Sequence, residues 1–206
     1  MGAIRKKRVE RNTDADRKSE IYRKALDLFI KKGFDATPMS AIARALGMSK
    51  ANLYYYCPDK ETLLYEIHLN DLRERFIPML DKAIQIPDPQ DRITFFLKSF
   101  ALMCTSSQAA PVLVHEIRSL SRSHQNEILA IWRRGYELMY EAIKELQTSG
   151  KAKRFRESFS AFLGVSMAFW TLSWWDYSRQ ANADELAEVL VEIFFNGLLY
   201  HGDGKH

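Results

Sequence analysis

Apolar residues recur three and four positions apart along nearly the whole chain, which is the spacing of one helix face, and no stretch alternates strictly for long. Proline, glycine and capping residues cut this pattern into segments. The first predicted helix runs from Asp16 to Lys32 with Ile21, Ala25, Leu28 and Phe29 on one face, and Gly33 suits its left-handed cap. Thr37 as cap and Pro38 as first helical residue open a short second helix that ends at Gly47. Ser49 caps a third, closed by Pro58, and Asp59 caps a long fourth. Pro78 lies inside that fourth pattern and predicts a kink or an end there. Pro87-Asp88-Pro89 is a break. Further helices are predicted at 90–105, 110–121, 125–148 (closed by Gly150) and 156–177. The last starts at Asn182, with Glu185 in capping-box register, and runs to Tyr200. The fold class is therefore all-α, with about nine helices.

The first 60 residues pack three short helices into a module. Its second and third helices meet at Gly47-Met48-Ser49, the tight glycine turn of a helix-turn-helix. Ile42, Ala43 and Leu46 face inward from one helix, and Leu53 anchors the next. Ser49, Lys50, Ala51 and Asn52 open the third helix, the end that a recognition helix inserts into the major groove. Small side chains there let the backbone approach the bases, and the helix N-terminus favours phosphate oxygens. Tyr54, Tyr55 and Tyr56 bring hydroxyls for phosphates and flat faces for sugars or thymine methyls. At least one of the three must point outward on a helix, and the others can be core. Lys60 stands ready for a further phosphate. Phosphate contacts fix register without reading sequence. Asn52 is the candidate for reading a base edge, because an amide can bond an adenine through two hydrogen bonds.

These residues resemble the signature of the TetR family. The stretch is Phe34, Thr37, Met39, Ile42, Ala43, Leu46, Gly47, Ser49, Leu53, Tyr54, Tyr55, Tyr56, Lys60, Glu61, Leu63 and Leu64, within a match over residues 17 to about 66. The resemblance implies an all-helical, homodimeric repressor on palindromic operator DNA, whose larger C-terminal domain takes a small releasing effector. It implies DNA contacts at Thr37, Ser49, Lys50, Ala51, Asn52, Tyr54, Tyr56 and Lys60. The family usually carries Phe where this chain has Cys57, so packing beneath the recognition helix is expected to be looser. Three domains are expected: a basic arm over 1–15, a DNA-binding domain over 16–62, and an effector and dimerisation domain over 63–206.

Charge agrees with a basic head. Residues 1–60 carry 14 Lys/Arg against 7 Asp/Glu, whereas residues 61–206 carry 16 against 19. Arg5, Lys6, Lys7, Arg8 and Arg11 could equally be a solvated basic tail. No apolar run reaches the roughly 18 residues of a membrane span, and the basic, polar N-terminus lacks a signal-peptide core, which predicts a cytoplasmic protein with no membrane partner.

Residues 67–206 are rich in large apolar groups, which form either a plain core or an apolar pocket between helices. Phe100, Met103, Trp132, Tyr136, Phe169, Trp170 and Trp174 are the candidate lining. The segment Met167–Tyr177 and the run ADELAEVLVEIFFNGLL resemble the C-terminal domain of TetR-type regulators of lipid and steroid catabolism, some of which respond to acyl-CoA. That resemblance implies an acyl-CoA or fatty-acid effector, with Arg118, Arg122, Arg133 or Arg134 for the phosphates; otherwise these arginines are a solvated helix face. Gly164, inside a helical pattern, costs about 1 kcal/mol against Ala, and close helix approach is one reason to keep it. The same holds for Gly197. Phe194, Phe195, Leu198 and Leu199 supply either a dimer seam or monomer core.

Enzymatic chemistry is not expected. His68, His115, His124, His201 and His206 are scattered, Cys57 and Cys104 lack zinc spacing, and no nucleophile elbow or phosphate-cradling loop is present. No cofactor is implied. The competing reading is a DNA-binding regulator controlled by a partner protein, with no small-molecule pocket.

Overall fold

The computed structural model describes residues 14–106, 108–175 and 182–198. They form two compact units whose boundary falls between Leu63 and Leu64, inside a helix. The basic arm, Tyr177, Leu199 and Tyr200 lie outside the described residues, apart from the arm's last positions, Asp14 and Ala15.

The first unit contains α1 (Asp14–Lys32), α2 (Met39–Ala45), α3 (Lys50–Tyr56) and the opening turn of α4 (Lys60–Asp71). Ile21, Ala25 and Phe29 of α1 are buried with Met39, Ile42 and Ala43 of α2 and with Leu53 of α3. Leu28, expected on the inner face of α1, is only half-buried. Two connections need a left-handed residue, and glycine supplies it: Gly33 at φ 82° and Gly47 at φ 63°. The second helix starts one residue later than its sequence suggests. Pro38, not Thr37, is its cap, accepting from Ala41 and Ile42 through its carbonyl.

In the second unit α4 runs into a π-helical turn (Leu72–Phe76) and then α5 (Ile77–Ile84). Pro78 therefore neither ends the helix nor stands without compensation. Proline lacks the amide for the preceding turn, and its ring crowds that turn. The turn before it is widened, so that the Ile77 amide donates to the Leu72 carbonyl five residues back. Next come α6 (Pro89–Thr105), α7 (Ala109–His115) with a 3₁₀ turn (Glu116–Ser119), α8 (Arg122–Thr148), α9 (Glu157–Trp174) and α10 (Ala183–Leu198). The predicted 110–121 helix thus tightens to 3₁₀ geometry in its second half. Counting α4, the π turn and α5 as one rod, the described residues hold nine helices besides that 3₁₀ turn.

Helix α6 is the centre of this unit, packing against α5, α8, α9 and α10. Its Ile93, Phe96, Leu97 and Phe100 are fully buried, as are Phe76 and Leu80. Asp88 caps it, accepting from the Gln90 and Asp91 amides. Asn182 caps α10 in the same way, accepting from Asp184 and Glu185. The buried Gln147 side chain donates to the carbonyls of Lys153 and Phe155 and so pins the α8–α9 connection.

Candidate DNA-binding surface and effector cavity

The Ser49 hydroxyl accepts from the Asn52 amide at 3.1 Å, satisfying an orphan donor at the start of α3. Together with Gly47, this cap sets the turn between α2 and α3. Leu53 faces the core and leaves the opposite side of α3 to solvent. Ser49, Lys50, Ala51 and Asn52 are exposed, as are Tyr54 and Tyr55, the latter at 78%. Tyr56 is half-buried, its ring edge-on to Tyr55 at 5.2 Å. Two of the three consecutive tyrosines thus point outward. Cys57 is buried.

Two predicted contact residues have other partners. Thr37 is wholly buried, and its hydroxyl donates to the Gly33 carbonyl at 2.8 Å, where α1 leaves a carbonyl unmatched. The Lys60 ammonium donates to the carbonyls of Phe34 and Asp35 at 2.9 and 3.3 Å and sits 4.2 Å from the Phe34 ring centroid. Both side chains hold the α1–α2 connection.

In the second unit, a ring cluster joins Phe76, Phe96, Phe100, Trp132 and Phe169, with centroids 4.5–6.4 Å apart. Beside it lies an enclosed cavity lined by His68, Asp71, Arg75, Met103, Cys104, Ala110, Leu113, Val114, Trp132 and Leu172. Its free volume is about 10 Å³, room for roughly one water. His68 is only 1% exposed, and its Nδ1 has no hydrogen-bond partner. Burial alone pushes its imidazole down to about 4, so it is neutral at pH 7. Asp71 takes Arg75 in a two-bond fork at 2.8 and 2.9 Å, and Arg75 also donates to the Ser106 hydroxyl at 3.1 Å. Burial likewise raises the Cys104 thiol to about 12.

Of the predicted lining residues, Met103 and Trp132 reach this cavity, with Phe100 and Phe169 in the ring cluster behind it. Tyr136 instead stacks on Tyr140. Arg118 is exposed on the 3₁₀ turn. Trp170 and Trp174 line a separate open hollow with Met167, Thr171, Trp175 and Leu186. Sequence reading set His68 and Cys104 aside as scattered and without zinc spacing, and passed over Asp71 and Arg75. The available signal was one histidine flanked by Ile67 and Leu69, with Asp71 and Arg75 one helical turn apart just beyond it.

The predicted dimer residues also have partners within the unit. Phe194, Phe195 and Leu198 are buried. A Cβ on Gly164 would come within 2.8 Å of both Met139 and Phe194, so close approach does explain this glycine, within one chain. A Cβ on Gly197 would meet nothing within 4 Å. The apolar residues left open on these two helices are others: Phe159, Phe162, Leu163, Trp170 and Trp174 of α9 and Val189 and Ile193 of α10.

A helix-turn-helix with an exposed recognition helix, carried on a separate helical body, is the build of a DNA-binding transcription regulator. The chain belongs to the TetR family: residues 21–67 match the model of bacterial regulatory proteins of the tetR family, and residues 87–198 match the tetracyclin repressor-like C-terminal domain. It is 26% identical to the HTH-type transcriptional regulator RutR of Escherichia coli O157:H7 over 209 residues, covering 95% of this chain and 91% of RutR. The TetR family regulator PfmR from Thermus thermophilus superposes with a TM-score of 0.79 at 26% identity, over 86% of this chain and 97% of PfmR. AibR, solved with isovaleryl coenzyme A and operator DNA, shares the fold with a TM-score of 0.78 at 23% identity, over 86% of this chain and 97% of AibR. Among the described residues, no helix is long and apolar enough to cross a membrane and no cluster suits a metal ion.

Proposed function

We propose that the protein is a repressor that binds palindromic operator DNA as a homodimer and is released by a small apolar effector of the acyl-CoA type. The observation that carries the DNA reading is the outer face of α3, where the capped N-terminus, Lys50, Ala51, Asn52, Tyr54 and Tyr55 all stand in solvent. Ser49, Lys50, Tyr54 and Tyr55 serve phosphates, and Asn52 reads a base edge.

The second copy covers the open apolar strip of α9 and α10. Soluble monomers seldom leave Phe, Trp and Leu side chains clustered in solvent, and Phe162 is 63% and Trp174 81% exposed. A twofold dimer would set two recognition helices about 34–36 Å apart, one turn of duplex. An effector favouring a conformer with another spacing lowers operator affinity by linkage. The acyl-CoA class rests on the C-terminal resemblance and on the isovaleryl coenzyme A bound by AibR.

The small size of the enclosed cavity favours a second reading, a regulator governed by a partner protein. One experiment separates the two. The purified protein is titrated against its own upstream intergenic DNA over a range of salt, with and without long-chain acyl-CoA. Site-selective binding that acyl-CoA weakens is expected. Selective binding that acyl-CoA leaves unchanged removes the effector and favours the partner. Absence of selective binding there and on a genome-wide pool overturns the repressor.

A further inference from the structure

Lys60 closes a loop around the helix-turn-helix. It is the first residue of α4, and its ammonium donates to the carbonyls of Phe34 and Asp35, 26 and 25 positions earlier in the chain. Between those points lie α2, α3 and their connections. By charge alone a lysine is misplaced here, because the first turn of a helix is its positive end and favours anions. Two carbonyls and the face of the Phe34 ring, 4.2 Å away, offset that cost. An ammonium has three donors, so at most one is left for anything else.

The other end of this brace is firm. Phe34 is buried, its ring edge-on to Phe29 of α1 at 5.1 Å. Its carbonyl also accepts from the amide of Thr37, whose hydroxyl reaches back to Gly33. The residues just before Pro38, the cap of α2, are thus fastened to α1 and to α4 at once. Helix α3 has little grip of its own. It has seven residues and one buried side chain, Leu53, so its place is set by what holds its two ends. The front end hangs from α2 through the Gly47 turn. The rear end joins α4 through Cys57, Pro58 and Asp59, and Asp59 caps α4 by accepting from the Thr62 amide. Lys60 ties the rear of the pair to its front.

We infer that Lys60 is a positioning residue for sequence reading and not a phosphate contact: it holds the start of α2 against the start of α4, and so sets where α3 presents Asn52. The inference rests on the DNA-binding reading above and deepens it. A hydrogen bond to a base edge demands a partner within about 3.2 Å and good alignment. Attraction to phosphates is long-ranged and tolerates a small shift of the helix. Loss of the brace therefore removes selection between sequences and leaves non-specific binding in place.

Binding of Lys60→Gln is measured on the operator and on a scrambled duplex over a range of salt, at a temperature where circular dichroism shows every variant folded. Operator affinity should fall about tenfold, affinity for the scrambled duplex should change by less than about twofold, and the log–log salt slope should match wild type. Lys50→Gln is the reference for a true phosphate contact, weakening both duplexes and flattening the slope by about 0.9. Lys60→Arg keeps a charged donor for the carbonyls and the ring and should recover most of the operator affinity. Without DNA, amide exchange at Thr37, Ala41 and Ile42 should quicken about tenfold in Lys60→Gln and stay at the wild-type rate in Lys50→Gln. A slope flattened as in Lys50→Gln, with both duplexes weakened alike, makes Lys60 a phosphate contact and overturns the inference. A lower melt with operator affinity intact makes Lys60 a stabilising residue only, and overturns it as well. A wild type that selects no operator, even from a genome-wide pool, sinks the repressor reading instead; quickened exchange in Lys60→Gln then leaves the brace standing, and unchanged exchange removes it.

Discussion

Acidification should weaken the second unit through one residue. His68 is buried, and desolvation holds its imidazole at about 4, against 6.5 for a solvated histidine. The unfolded chain therefore binds a proton between pH 6.5 and 4 that the folded chain refuses, and stability falls as pH drops through that window. At about 1.4 kcal/mol per unit, the full loss is about 3 kcal/mol, of which about 2 kcal/mol falls between pH 7 and pH 5. Asp71, Arg75 and Cys104 share the cavity wall with His68. Asp71 is committed to Arg75, so it does little to offset the charge. The four tryptophans all lie in the second unit, so urea unfolding followed by their fluorescence reads that unit. The protein concentration is fixed, because a dimer's midpoint depends on it. With a slope of about 2 kcal/mol per molar urea, the wild-type midpoint should fall by about 1 M between pH 7 and pH 5. His68→Leu, similar in size and without a proton to gain, should lose much less. Carboxylates titrate in both proteins and cancel in the comparison. Equal pH dependence in the two would refute the reasoning and mean that His68 is protonated inside the fold or reaches water.

Gly164→Ala forces a Cβ to within 2.8 Å of Met139 and Phe194, so overpacking of about 1–3 kcal/mol should outweigh the roughly 1 kcal/mol gained from helix propensity. Gly197→Ala meets nothing within 4 Å and should leave the thermal midpoint equal or higher in the same scan. Phe162→Glu puts a charge into the open strip of α9 and should convert a dimer to a monomer by light scattering, with the helical circular-dichroism signal unchanged. Lys60→Gln should lower stability of the first unit by about 1 kcal/mol through its lost carbonyl bonds. Lys50→Gln should instead flatten the salt dependence of operator binding by about 0.9 in log–log slope, the share of one phosphate.

The helices were legible because their ends are written in short-range chemistry. Gly33, Gly47 and Gly150 adopt positive φ, and Ser49, Asp88 and Asn182 cap where a small polar side chain precedes an apolar pattern. Where two signals compete at one end, the boundary moves. Thr37 is a good cap by type, yet its hydroxyl is taken by the Gly33 carbonyl, so capping of α2 passes to Pro38. Pro78 reads as a break because proline removes a donor, but a π turn absorbs that defect one turn earlier, and nothing in the local sequence announces it.

Periodicity says which residues are apolar and not which neighbour covers them. Helix α9 is apolar nearly all round, a pattern that calls for burial on every side. One side is covered by α6, α8 and α10 within the chain, which accounts for Gly164, Ala161 and Ala168. The bulky Phe159, Phe162, Trp170 and Trp174 fall on the uncovered side. Size could have made that division. A helix approaching others in its own unit needs small residues at the crossing, whereas rings and indoles project far enough to meet something further away. Size does not make that division in α10, where Phe194 and Phe195 are buried in their unit and the smaller Ile193 beside them is open. Reading α9 by side-chain volume as well as hydropathy would have placed its open face on the large residues and the glycine inside.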